Sequence, residues 1–258
     1  MLAPKLGRRA VMQGLTGVPL AAILANPTLA RAAAAGLEAQ SITTPGGTQV
    51  AAVLALPAKT PAPAVLLVHE WWGLNDQIKA MAAEFAKAGF TALAVDLYGG
   101  QVAEDRDAAR SYMQALDPKA ATETLVAWID WLRRHEASTG RIGTVGWCFG
   151  GGWSLNASIA APVDATVIYY GRVTRQADEL KHLKGPVLGH FATQDKFINR
   201  DMVGTWEGEM KKAGKAFQSH WYEADHAFAN PTGARYDEAD AKLAWSRTLA
   251  FFRQHLRG

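Results

Sequence analysis

Gly146-Trp147-Cys148-Phe149-Gly150-Gly151-Gly152 decides the fold. It follows a segment, 141–146, that reads as a strand. It opens onto 151–160, which reads as a helix. A Gly-x-Cys-x-Gly pattern between strand and helix fits the sharp turn that holds a nucleophile in a strained conformation, with glycines on either side so that backbone can pass close. A helix starting behind Cys148 favours a thiolate there. The amide of Phe149 would then face a developing oxyanion. A buried cysteine in a glycine-rich turn can carry the same five residues, so the rest of the chain has to decide.

Outward from this turn, strand-like and helix-like segments alternate. Short apolar runs at 64–68 and 90–95 read as strands buried on both faces, 165–170, 187–192 and 217–222 as further strands and 49–56 as an edge strand. Helical spacing marks 77–88, 103–116, 119–134, 201–213 and 240–256, the last with Leu243, Leu249, Phe252 and Leu256 in register. Such alternation predicts an α/β fold of the hydrolase type: a mostly parallel central sheet with helices on both faces. Function in such sheets gathers at the carboxyl ends of the strands.

The residues just past each strand are therefore the candidates. In this fold the acid and the base follow the nucleophile in chain order. Asp195 follows the 187–192 strand, and His226 follows the 217–222 strand in Asp225-His226-Ala227-Phe228. His226 would take the thiol proton and later activate water. Asp195 would fix the ring tautomer and stabilise the imidazolium. Asp225 reads as a turn residue. After the 64–68 strand comes His69-Glu70-Trp71-Trp72-Gly73-Leu74-Asn75, the loop that completes an oxyanion hole through a backbone amide. Glu70 there is a carboxylate that could touch the thiol. His69 reads as bonding locally, and His190, inside a strand, as a satisfied core histidine.

The Glu70 loop, Asp96-Leu97-Tyr98, the cysteine turn, Tyr169-Tyr170-Gly171, Gln194-Asp195 and His226-Ala227-Phe228 together resemble the dienelactone hydrolase family over roughly residues 41–256. The resemblance implies an ester or lactone hydrolase. It makes Cys148 the nucleophile, His226 the base, Asp195 its orienter, and Glu70 a carboxylate that interacts with the thiol. The amides of Trp71 and Phe149 would form the oxyanion hole, and Tyr170, Tyr98, Trp72 and Asn230 would line the substrate. Family members hold a substrate carboxylate with two arginines, and Gly100 and Asn230 stand at those places. The two-point cation that binds a carboxylate is missing at both. Arg106, Arg110, Arg172 and Arg235 are the candidates to replace it. The expected substrates are neutral or bulkier esters and lactones. A thioesterase or amidase on the same scaffold, and a non-catalytic exported thiol sensor, are the alternatives.

The chain has 258 residues, 49% of them hydrophobic and 20% charged, which fits one well-buried domain. Residues 1–32 read instead as a removable twin-arginine export signal. Lys5, Arg8 and Arg9 precede an interrupted apolar run, and Leu29-Ala30-Arg31-Ala32-Ala33 resembles a cleavage site. Residues 33–40 are expected to be a flexible start and 41–258 a single domain, placed in the periplasm as a monomer after passage through the export machinery. Without residues 1–32, 27 basic side chains become 23 against 24 acidic ones, a net charge of −1. No concentrated basic surface remains for nucleic acid. Cys148 is the sole cysteine, so no internal disulfide can form, and no Cys/His cluster has metal-ligand spacing. Neither a cofactor nor a lasting membrane span is expected.

Overall fold

A computed structural model of the chain describes residues 20–256. Its elements in chain order are α1 (Leu20–Ala25), α2 (Pro27–Ala34), β1 (Glu38–Thr43), β2 (Gln49–Ala55), β3 (Ala62–Val68), α3 (Asp76–Lys87), β4 (Thr91–Val95), α4 (Arg106–Ala115), α5 (Pro118–Arg134), β5 (Ser138–Trp147), α6 (Phe149–Ala160), β6 (Ala165–Tyr169), α7 (Ala177–Leu180), β7 (Val187–Ala192), α8 (Arg200–Lys212), β8 (Phe217–Tyr222) and α9 (Glu238–Leu256). The strands form one eight-stranded sheet in the order β1-β2-β4-β3-β5-β6-β7-β8. β1 and β2 join it antiparallel, and every pairing from β4 to β8 is parallel.

The apolar runs are buried on both sheet faces, as their lack of alternation predicts. In β3, Val65 and Leu67 pack on the same face as Ile78 and Phe85 of α3 and Phe252 of α9. Leu66 and Val68 meet Leu125, Trp128 and Ile129 of α5 on the opposite face. Further along that face, Ile168, Val187 and Phe191 pack against Val203, Trp206 and Met210 of α8.

Caps set where the helices begin. Asn75 Oδ1 accepts the Ile78 amide at 3.1 Å and Asn199 Oδ1 accepts the Met202 amide at 3.0 Å. Asp117 caps α5, with Pro118 in the first turn. These helices therefore start a residue earlier than their apolar spacing indicates.

Three readings need correction. The 49–56 segment is not an edge strand, because β1 covers it; β1, Glu-Ala-Gln-Ser-Ile-Thr, alternates half-buried and exposed and carries no apolar run to betray it. Residues 33–40, read as a flexible lead-in, hold the end of α2 and the first three residues of β1. Leu243 is solvent-exposed, and α9 faces the core through Ala244, Thr248, Phe251, Phe252 and Leu256. Lys5, Arg8 and Arg9 lie outside the described residues. No described helix is long and apolar enough to cross a membrane.

Candidate active site

The sheet delivers Cys148, Asp195, His226 and Glu70 from the ends of β5, β7, β8 and β3. Cys148 has φ 54° and ψ −116°, far from ordinary L-residue backbone. The turn closes because Gly146 packs against the Gly150 carbonyl and Gly150 against the carbonyls of Val68 and His69, where no Cβ fits. α6 starts at Phe149, two residues before the predicted 151, since these close approaches outweigh the poor helix propensity of Gly150-Gly151-Gly152. Its first N–H groups have no partner within the helix and lie next to Cys148.

His226 links the other two members. Its Nε2 lies 3.1 Å from Cys148 Sγ, and its Nδ1–H donates to Asp195 Oδ2 at 2.6 Å. Asp195 Oδ1 accepts the amides of Phe197 at 2.8 Å and Ile198 at 3.0 Å, which orients the carboxylate. Burial works to raise the Asp195 pKa. Bonds from His226 and the two amides outweigh it and hold the carboxyl below the usual range. For His226, burial works to lower the pKa, but Asp195 and Cys148 on its two sides bring it up to about 10.

Glu70 is buried and bonds to Asn230 rather than to Cys148. Asn230 Nδ2 donates to Glu70 Oε2 at 2.5 Å, and Asn230 Oδ1 accepts from the Thr232 amide and hydroxyl at 3.0 and 2.7 Å. Burial pushes the Glu70 pKa up, against smaller opposing pulls from Asn230, His226 and Arg235. Arg235 is the one of the four candidate arginines whose charge reaches this site, while pairing with Asp225 at 3.7 Å. Gly100, at φ 89°, sits in a left-handed turn where its amide bonds to Asp96 Oδ2. An arginine there would be strained.

Aromatic side chains cluster at the site. The Tyr170 ring lies 5.2 Å from the His226 ring, and burial raises the Tyr170 and Tyr98 hydroxyls above their ordinary pKa. Trp71 and Trp72 stack edge-to-face at 5.1 Å on the Glu70 loop. His69 is a scaffold residue beneath the turn: Nδ1–H donates to the Glu70 carbonyl at 2.6 Å and Nε2 accepts the Leu97 amide at 3.2 Å. Among the described residues, the non-glycine positions with positive φ are Cys148, Tyr170 and Ala227, all at this site, where backbone strain gathers. Sequence reasoning missed Phe197. Its ring is 69% exposed and edge-on to His226 at 6.0 Å. Its place two residues after Asp195 was the available signal.

A parallel sheet with a strained residue at a strand-to-helix turn, followed in chain order by an acid and a histidine, is the α/β-hydrolase class. Residues 50–256 match the model of the dienelactone hydrolase family, and the chain belongs to that family. It is 31% identical over 228 residues to the carboxymethylenebutenolidase of Pseudomonas putida, an alignment covering 83% of this chain and 95% of the relative. It is also 31% identical over 221 residues to protein usf of Aquifex pyrophilus, covering 81% and 95%. A crystal structure of a candidate dienelactone hydrolase from Klebsiella pneumoniae superposes with TM-score 0.76 at 27% identity, covering 84% of this chain and 99% of that one.

Proposed function

We propose that this enzyme hydrolyses carboxylic esters or lactones through an acyl-enzyme on Cys148. The observation that carries the reading is the chain of contacts Asp195–His226–Cys148, at 2.6 and 3.1 Å. The thiolate attacks the carbonyl carbon, and the amides of Trp71 and Phe149 stabilise the oxyanion. The adduct then collapses as its C–O bond breaks and the leaving-group oxygen departs with the electron pair, and the resulting thioester carries no negative charge on sulfur. That removes part of what holds a proton on His226, so the ring can then act as base toward water. Supporting this is membership of a family whose Pseudomonas putida relative is a carboxymethylenebutenolidase.

Neutral substrates fit this site better than acidic ones. Gly100 makes a left-handed turn that a side chain would strain, and Asn230 is committed to Glu70, so neither offers a cation to a substrate carboxylate. The exposed Phe197 ring adds apolar surface at the mouth. The decisive experiment compares nitrophenyl esters, neutral lactones and the dienelactone acid in wild type, Cys148→Ala and His226→Ala. Loss of about 10² or more in both variants is expected. Equal activity in all three proteins would sink the assignment, and a dienelactone acid far ahead of neutral esters would sink the substrate preference. Residues 1–32 act, in this reading, as a twin-arginine signal that sends the enzyme to the periplasm. N-terminal sequencing of the cell-extracted protein checks that, with Met1 as the contrary result.

A further inference from the structure

Glu70 lies one residue before Trp71, is 3% exposed, and has Oε1 buried with no hydrogen-bond partner. Its fixed donor is the neutral amide of Asn230 on Oε2. An ionised carboxylate this dry is normally held by a cation or several N–H groups. Arg235, which acts on it from a distance, is paired with Asp225 and half exposed. A neutral carboxylic acid suits this setting, and burial drives Glu70 toward that form. The acid then carries an O–H for which the protein supplies no acceptor.

The chemistry at Cys148 calls for such a donor. When a thiolate adds to an alkyl ester, the tetrahedral adduct expels its better leaving group. A thiol has a pKa of about 8.5, whereas an alcohol is a far weaker acid, close to water itself, so its alkoxide is much the poorer leaving group. Unless the departing alkoxide receives a proton, sulfur leaves and the ester is re-formed. His226 is held between Sγ and Asp195.

We propose that Glu70 is the general acid of acylation, giving its carboxyl proton to the leaving-group oxygen as the C–O bond of the tetrahedral adduct breaks and its electron pair returns to that oxygen. This rests on the Cys148–His226–Asp195 reading. The Glu70 carboxylate then takes the proton of the His226 imidazolium, whose hold on it weakens once Sγ is acylated. Neutral His226 removes a proton from water as the water oxygen attacks the thioester. The C–S bond breaks, and thiolate, imidazolium and carboxylic acid are restored. One water is consumed per ester, and no other reactant is needed.

The test is a series of esters of one acyl group whose leaving groups run from nitrophenol through phenol to ethanol. Nitrophenolate departs without a proton, so Glu70→Gln should lower kcat/KM for the ethyl ester about a hundredfold and for the nitrophenyl ester less than about tenfold. Equal losses across the series would overturn the proposal, because a carboxylate that only generated thiolate or positioned substrate would slow every ester alike. The wild type gives an answer that does not depend on the variant folding. Its kcat/KM should fall only shallowly as leaving-group basicity rises, and a fall as steep as that of free-thiol attack would overturn the proposal too. Cys148→Ala, run beside them, separates the two readings: full turnover there would remove the thiolate mechanism itself.

Discussion

The pKa of His226 is set by effects that can be taken apart one residue at a time. Burial opposes its charge, while Asp195 and Cys148 favour it, and the balance lies at about 10 instead of 6.5. Because the folded value is raised, its contribution to stability is fully present below pH 6.5 and is lost as pH climbs through about 10. Cys148→Ala deletes the sulfur's hydrogen bond and its electrostatic pull on the ring and leaves Asp195 in place. The His226 ring of that variant should titrate well below about 10, as followed by NMR of its ring protons. A midpoint that does not move would mean the resting sulfur carries no negative charge. Asp195, Cys148 and His226 could be found in the sequence because each stands within a few residues of the end of a segment that reads as a strand. The Glu70–Asn230 bond could not, since its partners are 160 residues apart and neither residue type announces the other. The strained backbone of Tyr170 and Ala227 was equally hidden, because positive φ at a non-glycine is imposed by surroundings.

β7 carries Asp195 at its end and His190 in its interior. His190 Nδ1 bonds to Tyr222 Oη at 2.8 Å and Nε2 to Thr248 Oγ1 at 3.0 Å, tying β7 to β8 and α9. Arg247 donates to the same Tyr222 hydroxyl at 3.0 Å, and Tyr169 shares the Thr248 hydroxyl at 2.7 Å. Burial, reinforced by the charges of His220 and Arg247, holds His190 well below 6.5. Protonating it is therefore easier in the unfolded chain, so stability should fall as pH drops below 6.5. His190→Leu should flatten that fall while costing about 1–3 kcal/mol at pH 7, because two hydroxyls lose a partner. Urea unfolding at pH 7 and pH 5 measures both effects, and a variant with the wild-type pH slope would exclude His190 as the source. The strand itself was legible from Val187, Leu188, Phe191 and Ala192 despite Gly189 and His190 between them. β1 was not, because its half-exposed edge position asks for no apolar run, and the start of α6 was blurred by glycines needed for close approach. Periodicity reports which face is buried; it does not report pairing at an edge or backbone contact at a turn.

For the molecule as a whole, the question is what residues 20–34 contribute. α1 and α2 pack on α3, burying Ile23, Leu24, Ala30 and Ala33. Cleavage near Ala33 would remove most of that contact. Burying an Ile or Leu side chain contributes about 1.5–3 kcal/mol, so the loss is a few kcal/mol against a typical total of about 5–15 kcal/mol. The sheet, the elbow and the loops bearing Glu70, Asp195 and His226 all come from later residues. A chain beginning at Ala33 should therefore fold, melt several degrees lower than the full chain, with about 2–4 °C lost per kcal/mol, and keep a kcat/KM on nitrophenyl esters close to that of the full chain. Thermal unfolding and kinetics on the two proteins measure this directly. If the shortened chain is insoluble or inactive, α1 and α2 belong to the working fold, and a removable signal ending at residue 32 is excluded, an outcome that leaves the proposed chemistry at Cys148 to its own test.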